Sequence, residues 1–186
     1  MNAPRIDPAA PPYAASIQAR LDELVPAGMT PIWLFRVLAR DERLFARSIG
    51  AGLLDRGHVS LREREIVILR VCANHRSEYE WGVHVRVFSA KAGLSAEQVQ
   101  ATASAPASAT CWSAREQLIL RLCDELSTGT EATEPLWTAL AAEFTAEALL
   151  EFLLLIGFYR TISILTNTLH MPLESWAARF PELVRS

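Results

Sequence analysis

Residues 60–72 read Ser-Leu-Arg-Glu-Arg-Glu-Ile-Val-Ile-Leu-Arg-Val-Cys, and residues 77–92 read Ser-Glu-Tyr-Glu-Trp-Gly-Val-His-Val-Arg-Val-Phe-Ser-Ala-Lys-Ala. Ser60 and Glu63 have the spacing of a capping box, in which each side chain satisfies a backbone N–H near the other. Ile66, Leu69 and Val71 to Ala73 then supply an apolar face. In the second stretch Trp81, Val85 and Phe88 recur at i, i+4 and i+7, the spacing of an inward helix stripe, and Gly93 stops it. Two helices joined by a short turn near Asn74–Arg76 follow from this pattern. No stretch alternates convincingly at period 2, so the fold class is all-α.

Working outward, residues 1–12 contain four prolines and read as a flexible N-terminal arm. Residues 13–186 form one helical domain: a core motif at 60–103, a linker at 104–112 and C-terminal helices over 113–180. Tyr13 to Val25 carries a helical stripe ended by Pro26 and Gly28. Residues 31–55 hold one or two helices, with Asp41 as a cap. Ser95 opens a short helix to Ala103, and Ser104 to Thr110 is low-complexity linker. Helices follow over Ser113–Leu126, from Pro135 to about Phe144, and from Thr145 to Pro172, with a terminal helix over Leu173–Phe180. Arg64-Glu65-Ile66-Val67-Ile68-Leu69-Arg70-Val71-Cys72 echoes Arg115-Glu116-Gln117-Leu118-Ile119-Leu120-Arg121-Leu122-Cys123 at an offset of 51. Either amphipathic helices share this pattern by chance, or a helical unit was duplicated.

Composition agrees with helices. The 186 residues include 28 Ala and 25 Leu against 8 Gly, and 51% are hydrophobic, which excludes disorder along the whole chain. A net charge of −3 and the lack of a basic block argue against nucleic acid as the main partner. Cys72, Cys111 and Cys123 form neither a disulfide framework nor a C-x-x-C motif. The N-terminus lacks a signal-peptide pattern. Phe152–Phe158, the most apolar run, is too short to span a bilayer. The expectation is a soluble, reduced, cytoplasmic protein with no membrane partner.

Chemistry concentrates in Glu65, Ser77, Glu80 and His84. Glu80 and His84, four apart, share a helix face with Ser77, and Glu65 on the preceding helix comes opposite. With Tyr79, Trp81, Val83 and Val85 around it, the face would be apolar, and desolvation there would raise a carboxylate's pKa toward neutrality. Two carboxylates and an imidazole make a general acid–base set. The same Glu–His spacing also serves ordinary surface pairs. It fits neither a zincin helix nor a di-iron Glu-x-x-His motif, so no metal and no cofactor is expected.

At these residues the sequence resembles the carboxymuconolactone decarboxylase / alkylhydroperoxidase D-like family. The resemblance is carried by Leu61–Arg70, by Glu78–Arg86 and by Ala92-Gly93-Leu94-Ser95. Gly157-Phe158-Tyr159-Arg160, Asn167 and Pro172-Leu173-Glu174 support it. It implies a helical bundle assembled as a homo-oligomer, a trimer or hexamer, and a small-molecule substrate. The family's peroxidase branch carries Glu, then C-x-x-C, then His four residues after the second Cys. Position by position, Glu65 and His84 are retained, while Ser77 and Glu80 stand at the cysteine positions. Neither forms a disulfide or a sulfenic acid, so thiol peroxidation is disfavoured.

The function expected is therefore a cofactor-free acid–base lyase, decarboxylase-like, acting on a small carboxylated or lactone substrate. Glu80 is the leading acid/base, His84 its proton partner and Glu65 the group that orients His84. Ser77, Tyr79 and Trp81 are the expected substrate-binding residues. The alternatives are a peroxiredoxin-like enzyme using Cys72 or Cys111, and a non-catalytic oligomeric ligand-binding protein. Cys72 and Cys123 read as core residues and His75 as an exposed turn residue; Tyr159 and Asn167, two turns apart on one helix face, either lean on the site or satisfy buried polar groups between helices.

Overall fold

Helix α4 (Leu61–Asn74) is the axle of the molecule: every residue from Arg64 to Ala73 is buried. We describe the protein from a computed structural model, which describes residues 3–182. The described residues form α1 (Ala15–Leu24), α2 (Trp33–Leu38), α3 (Glu42–Ala51), α4, α5 (Glu78–Phe88), α6 (Ala96–Ser104), α7 (Ala114–Thr128), α8 (Glu134–Glu143) and α9 (Ala146–Thr168). They contain no strand. Helices α5, α6, α7 and α9 pack around α4, and α8 leans on α7 and α9.

Side-chain caps fix where most of these helices start. Asp41 accepts from the Leu44 N–H at 2.8 Å, and Thr145 caps α9. Ser60–Glu63 and Ser95–Gln98 form capping boxes, and so does Ser113–Glu116. Each satisfies donors that the first helical turn leaves without partners. Helix α4 ends as sharply. Arg76 adopts a positive φ of 57°, the Arg76 N–H donates to the Ala73 carbonyl, and the Ser77 N–H reaches the Cys72 carbonyl at 2.8 Å. This double bond across a left-handed residue is the Schellman way to close a helix. It turns the chain at once into α5, which Ser77 caps.

The long core runs along α4, α7 and α9 through Ile66, Leu69, Ile119, Leu122, Phe152 and Leu155. A smaller cluster joins Leu34, Val37, Tyr79, Val83, Ile162 and Met171. The α4–α7 pair is tied reciprocally: Arg62 bonds Glu116 at 2.7 Å, and Arg115 bonds Glu63 at 2.8 Å. The two ties are equivalent at an offset of 53, Arg62 answering to Arg115 and Glu63 to Glu116, and the two Ser-x-x-Glu boxes stand at the same offset. The two helices are thus matched by their caps two residues away from the offset of 51 that side-chain identity suggests.

Several expectations change. Leu173–Phe180 is an irregular strap with one turn at Ser175–Trp176, not a terminal helix. Pro172 and Pro181 bracket it, and its polar groups go to α5 instead. The Ala178 N–H donates to the Gly82 carbonyl at 3.1 Å, and the Phe180 N–H donates to Glu78 Oε1 at 3.0 Å. Gly82 makes this possible, because a Cβ there would stand 2.2 Å from the Ala178 carbonyl oxygen. Helix α5 ends at Phe88, ahead of the turn at Gly93. The arm is tied down through Arg5 to the Leu169 carbonyl and through Ala9 to the Arg36 carbonyl. The linker starts one residue later and buries Ala107 and Trp112. Finally, α9 as a whole is long and apolar enough to cross a membrane by length and composition, although half of that apolar window is buried in the fold.

Candidate active site

The turn at Asn74–Arg76 makes α4 and α5 neighbours, and it brings Glu65 across from the Glu80–His84 face. His84 Nδ1 lies 2.8 Å from Glu65 Oε2. The other carboxylate oxygen of Glu65 takes the Arg64 Nε–H at 3.2 Å, so both of its oxygens are partnered. His84 Nε2 lies 3.4 Å from Glu80 Oε1. Glu80 Oε2 is buried with no hydrogen-bond partner. The three side chains are sealed from solvent: Glu65 is 0%, His84 3% and Glu80 6% exposed.

This arrangement determines where the proton sits. Burial works against the charge on the His84 ring, but the Glu65 carboxylate and, behind it, Glu80 outweigh burial and raise its pKa to about 9. At neutral pH both ring nitrogens therefore donate, Nδ1–H to Glu65 and Nε2–H toward Glu80. The raised proton affinity shown at this site is that of the imidazole.

Ser77 is buried behind Glu80. Its hydroxyl shares a 2.8 Å bond with Thr166 of α9 and accepts from the Glu80 N–H at 3.4 Å. Ser77 thus sets the angle at which α5 meets α9, and its bonds are spent there. Tyr79 and Trp81, expected to bind substrate, are not brought to the relay. The Tyr79 hydroxyl donates to Glu174 at 2.8 Å and accepts from the Leu34 N–H at 3.0 Å, on the flank facing α2. The Trp81 indole N–H donates to Thr102 of α6 at 3.0 Å, and its ring lies 5.1 Å from Phe180. Residues at i−1 and i+1 of Glu80 leave the helix on other sides, so nearness in sequence misplaced both.

The aromatic walls come instead from Phe88 and Tyr159. Their ring centroids each stand 5.2 Å from the His84 ring, Tyr159 in an edge arrangement. Phe88 was within reach of sequence reasoning, being one turn on from His84. Tyr159 comes from α9; the sequence left it between leaning on the site and filling a helix interface, and its ring lies against His84. Burial, then the charges of Glu80 and Glu65, push the Tyr159 phenol well up from its ordinary pKa.

A thiol does border the site. Cys72 is fully buried, and burial, then the charge of Glu80, raise its pKa well above the ordinary thiol value, with Ser163 as its hydrogen-bonding neighbour. A thiolate is disfavoured there, which suits a core cysteine rather than a nucleophile. Cys111 is half-buried, Cys123 fully buried. His75 caps the end of α4 and is half-buried; its carbonyl accepts from Asn167 at 2.8 Å, so Asn167 ties α9 to the turn and stays out of the site. Among the described residues no group of His, Cys, Asp and Glu is disposed to hold a metal ion. A cleft of about 260 Å³ between α1 and α3, lined by Ile17, Phe45 and Ile49, shares no residue with the relay.

Residues 43–124 match the profile of the Carboxymuconolactone decarboxylase family. That span contains Glu65, Ser77, Glu80 and His84 but ends before Tyr159. Among solved structures, an uncharacterized peroxidase-related protein from Silicibacter sp. TM1040 superposes with a TM-score of 0.78 at 16% identity, over 94% of this chain and 96% of that one. An alkylhydroperoxidase AhpD core protein from Ralstonia eutropha JMP134, also an uncharacterized peroxidase-related protein, gives 0.75 at 20% identity, over 93% and 95%. A protein of unknown function from Agrobacterium tumefaciens, a putative antioxidant defence protein AhpD, gives 0.63 at 16% identity, over 73% and 93%. No curated protein sequence matches the chain.

Proposed function

Since residues 43–124 match the Carboxymuconolactone decarboxylase family and the fold is that of AhpD-like proteins, we propose that the chain is a cofactor-free acid–base lyase acting on a small carboxylated or lactone substrate. The observation that carries this reading is the free oxygen of Glu80, backed by a charged imidazole that Glu65 holds in place.

Loss of carbon dioxide leaves an electron pair on carbon or on a conjugated oxygen, and a proton must reach that position. Glu80 Oε2 is the group placed to exchange it. His84, protonated up to pH about 9, replenishes Glu80 through Nε2–H. Glu65 fixes the ring through Nδ1 and balances its charge. Sealed walls keep competing water away, which strengthens every one of these charge interactions.

Replacing Glu80 with Gln keeps the shape and removes the exchangeable proton. Turnover should vanish while the circular dichroism spectrum and melting temperature stay close to wild type. Unchanged turnover removes Glu80 from the mechanism.

The structural neighbours named as peroxidase-related support a second reading, a thiol antioxidant enzyme. It needs Cys72 or Cys111 as the peroxidatic thiol with an external reductant. A variant with all three Cys changed to Ser separates the two: full activity excludes thiol peroxidation. We further propose that the chain forms a homo-oligomer, a trimer or hexamer, and works in the cytoplasm. Leu150, Leu154 and Ile164 on α9 are 61%, 63% and 58% exposed, which supports a covered α9 face. Sedimentation as a monomer would remove the oligomer.

A further inference from the structure

A buried guanidinium stands behind the Glu65–His84 pair. Arg64, one residue before Glu65 on α4, is only 6% exposed. Its Nε–H donates to Glu65 Oε1 at 3.2 Å. Its Nη1 donates to the Leu54 carbonyl at 2.7 Å and to the Asp55 carbonyl at 3.4 Å. Those carbonyls belong to the loop that leaves α3, where Leu53 holds a positive φ of 47°. Leucine rarely adopts that conformation, so the surroundings must impose it. The guanidinium also stands 5.7 Å from the Phe88 ring, which itself stands 5.2 Å from the His84 ring. A planar charged fork fastened at both ends in this way has little freedom.

The charges of the cluster show what this fork does. Around the His84 ring stand Glu65, Arg64 and Cys72 from α4, Glu80 from its own helix and Tyr159 from α9. Burial holds the Tyr159 phenol and the Cys72 thiol in their uncharged forms. Two carboxylates therefore face one imidazolium, and Arg64 brings the second positive charge that balances them. Left unbalanced, the carboxylates would grip the ring proton harder in this poorly hydrated place. A proton donor works best when its affinity for the proton suits the working pH, so a ring held too tightly resupplies Glu80 poorly.

We propose that Arg64 is a positioning residue of the relay: fastened to the loop carbonyls, it holds Glu65 in line with His84 Nδ1 and offsets its charge, which leaves the ring able to pass its Nε2 proton to Glu80. The assignment rests on the acid–base reading above and deepens it by naming what regulates the proton donor.

The test is an NMR titration of the His84 ring in the full chain. Arg64→Gln removes the charge. It should raise the ring's proton affinity about tenfold, and the titration midpoint should lie correspondingly above the wild-type value of about 9. Arg64→Lys keeps the charge and should bring the midpoint back toward wild type. A merely structural Arg64 gives the opposite sign: Glu65 would slacken in both variants, and the midpoint would fall. An unmoved or lowered midpoint in Arg64→Gln overturns the assignment, and so does a Lys variant that behaves as the Gln variant does. Arg62 is bonded to Glu116 instead, so Arg62→Gln should leave the midpoint in place; an equal rise there also overturns the assignment. Wild type supplies a check that needs no variant. The Arg64 Nε–H signal should move with the His84 titration. A signal that stays fixed while the ring titrates overturns the assignment even where Arg64→Gln does not fold. If the midpoint responds as expected but Glu80→Gln keeps full turnover, the acid–base reading fails while Arg64 remains the group that sets the charge of the ring.

Discussion

Helix α4 presents charges to both of its sides, and the two sides treat them differently. Toward α7, Arg70 makes two parallel bonds with Asp124, at 2.6 and 2.8 Å, and its Nη1 donates to the carbonyls of Thr102 and Ala105. Asn74 adds bonds to Asp124 and Ser127. Both carboxylate oxygens of Asp124 are matched there, and Asp124 keeps some contact with water. Toward α5 and α9, Glu65 is matched, His84 is matched, and the chain stops one partner short at Glu80. A structural network closes on itself; a functional one leaves an end open for something that arrives later. The contrast supports the proposed chemistry on the α5 side on grounds separate from any family likeness.

Breaking the open network should have the largest effect. Glu65→Leu leaves the Arg64 guanidinium and the His84 ring buried without their carboxylate, and removing one partner from a buried pair costs about 3–5 kcal/mol. Urea unfolding at pH 7 would read that loss. The imidazole also loses its main support, so its pKa should fall far below the wild-type value of about 9, visible by NMR titration. The pH dependence has a definite sign. A folded-state pKa raised above the ordinary histidine value contributes stability that is fully present below pH about 6.5 and is lost as pH rises through about 9. Wild type should therefore weaken on that alkaline limb, and Glu65→Leu should show no such limb. An unaltered alkaline limb in Glu65→Leu would mean that the pair is not the group that titrates.

The closed network should break more gently. Arg70→Met strands two carbonyls and Asp124, but Asp124 can turn toward solvent. A loss of about 1–3 kcal/mol in the same urea experiment is expected, with turnover unaffected. If Arg70→Met abolished turnover at full stability, the distinction between the two sides of α4 would be wrong.

Legibility followed distance along the chain. Helices α4 and α5, the caps at Asp41, Ser60, Ser95 and Thr145, and the meeting of Glu65 with His84 and Glu80 are set by periodicity and a three-residue turn, so the sequence displays them. Tyr159 reaches the site from α9, and the strap pairs Ala178 with Gly82. Such contacts depend on how distant segments dock, and no period within either segment encodes them. Leu173–Phe180 has helix-forming residues, yet its backbone found better partners on α5, an override of local propensity by tertiary bonding. Tyr79 and Trp81 stand apart from the relay for a different reason: a residue next to Glu80 in sequence points some 100° away from it on a helix.

The smallest effect sharpens the comparison at the helix starts. Ser60 and Ser113 cap α4 and α7 in the same way, and each box shares its glutamate with an arginine of the other helix. Burial opposes the charge on Glu63, but its bonds to Ser60 and Arg115 prevail and hold its pKa low. Glu116 is held low in the same way by Ser113 and Arg62. Ser60→Ala and Ser113→Ala should each cost about 1 kcal/mol, the usual price of a lost N-cap. Because each glutamate is also half of an ion pair across the helices, losing one cap lets that glutamate shift and loosens the pair on which the other box leans. The double variant should then depart from the sum of the singles by about 0.5 kcal/mol or more, the size found for residues within one network. Strict additivity in a double-mutant cycle would show that the two boxes act as separate local caps and that the matched offset of 53 carries no energetic link between α4 and α7.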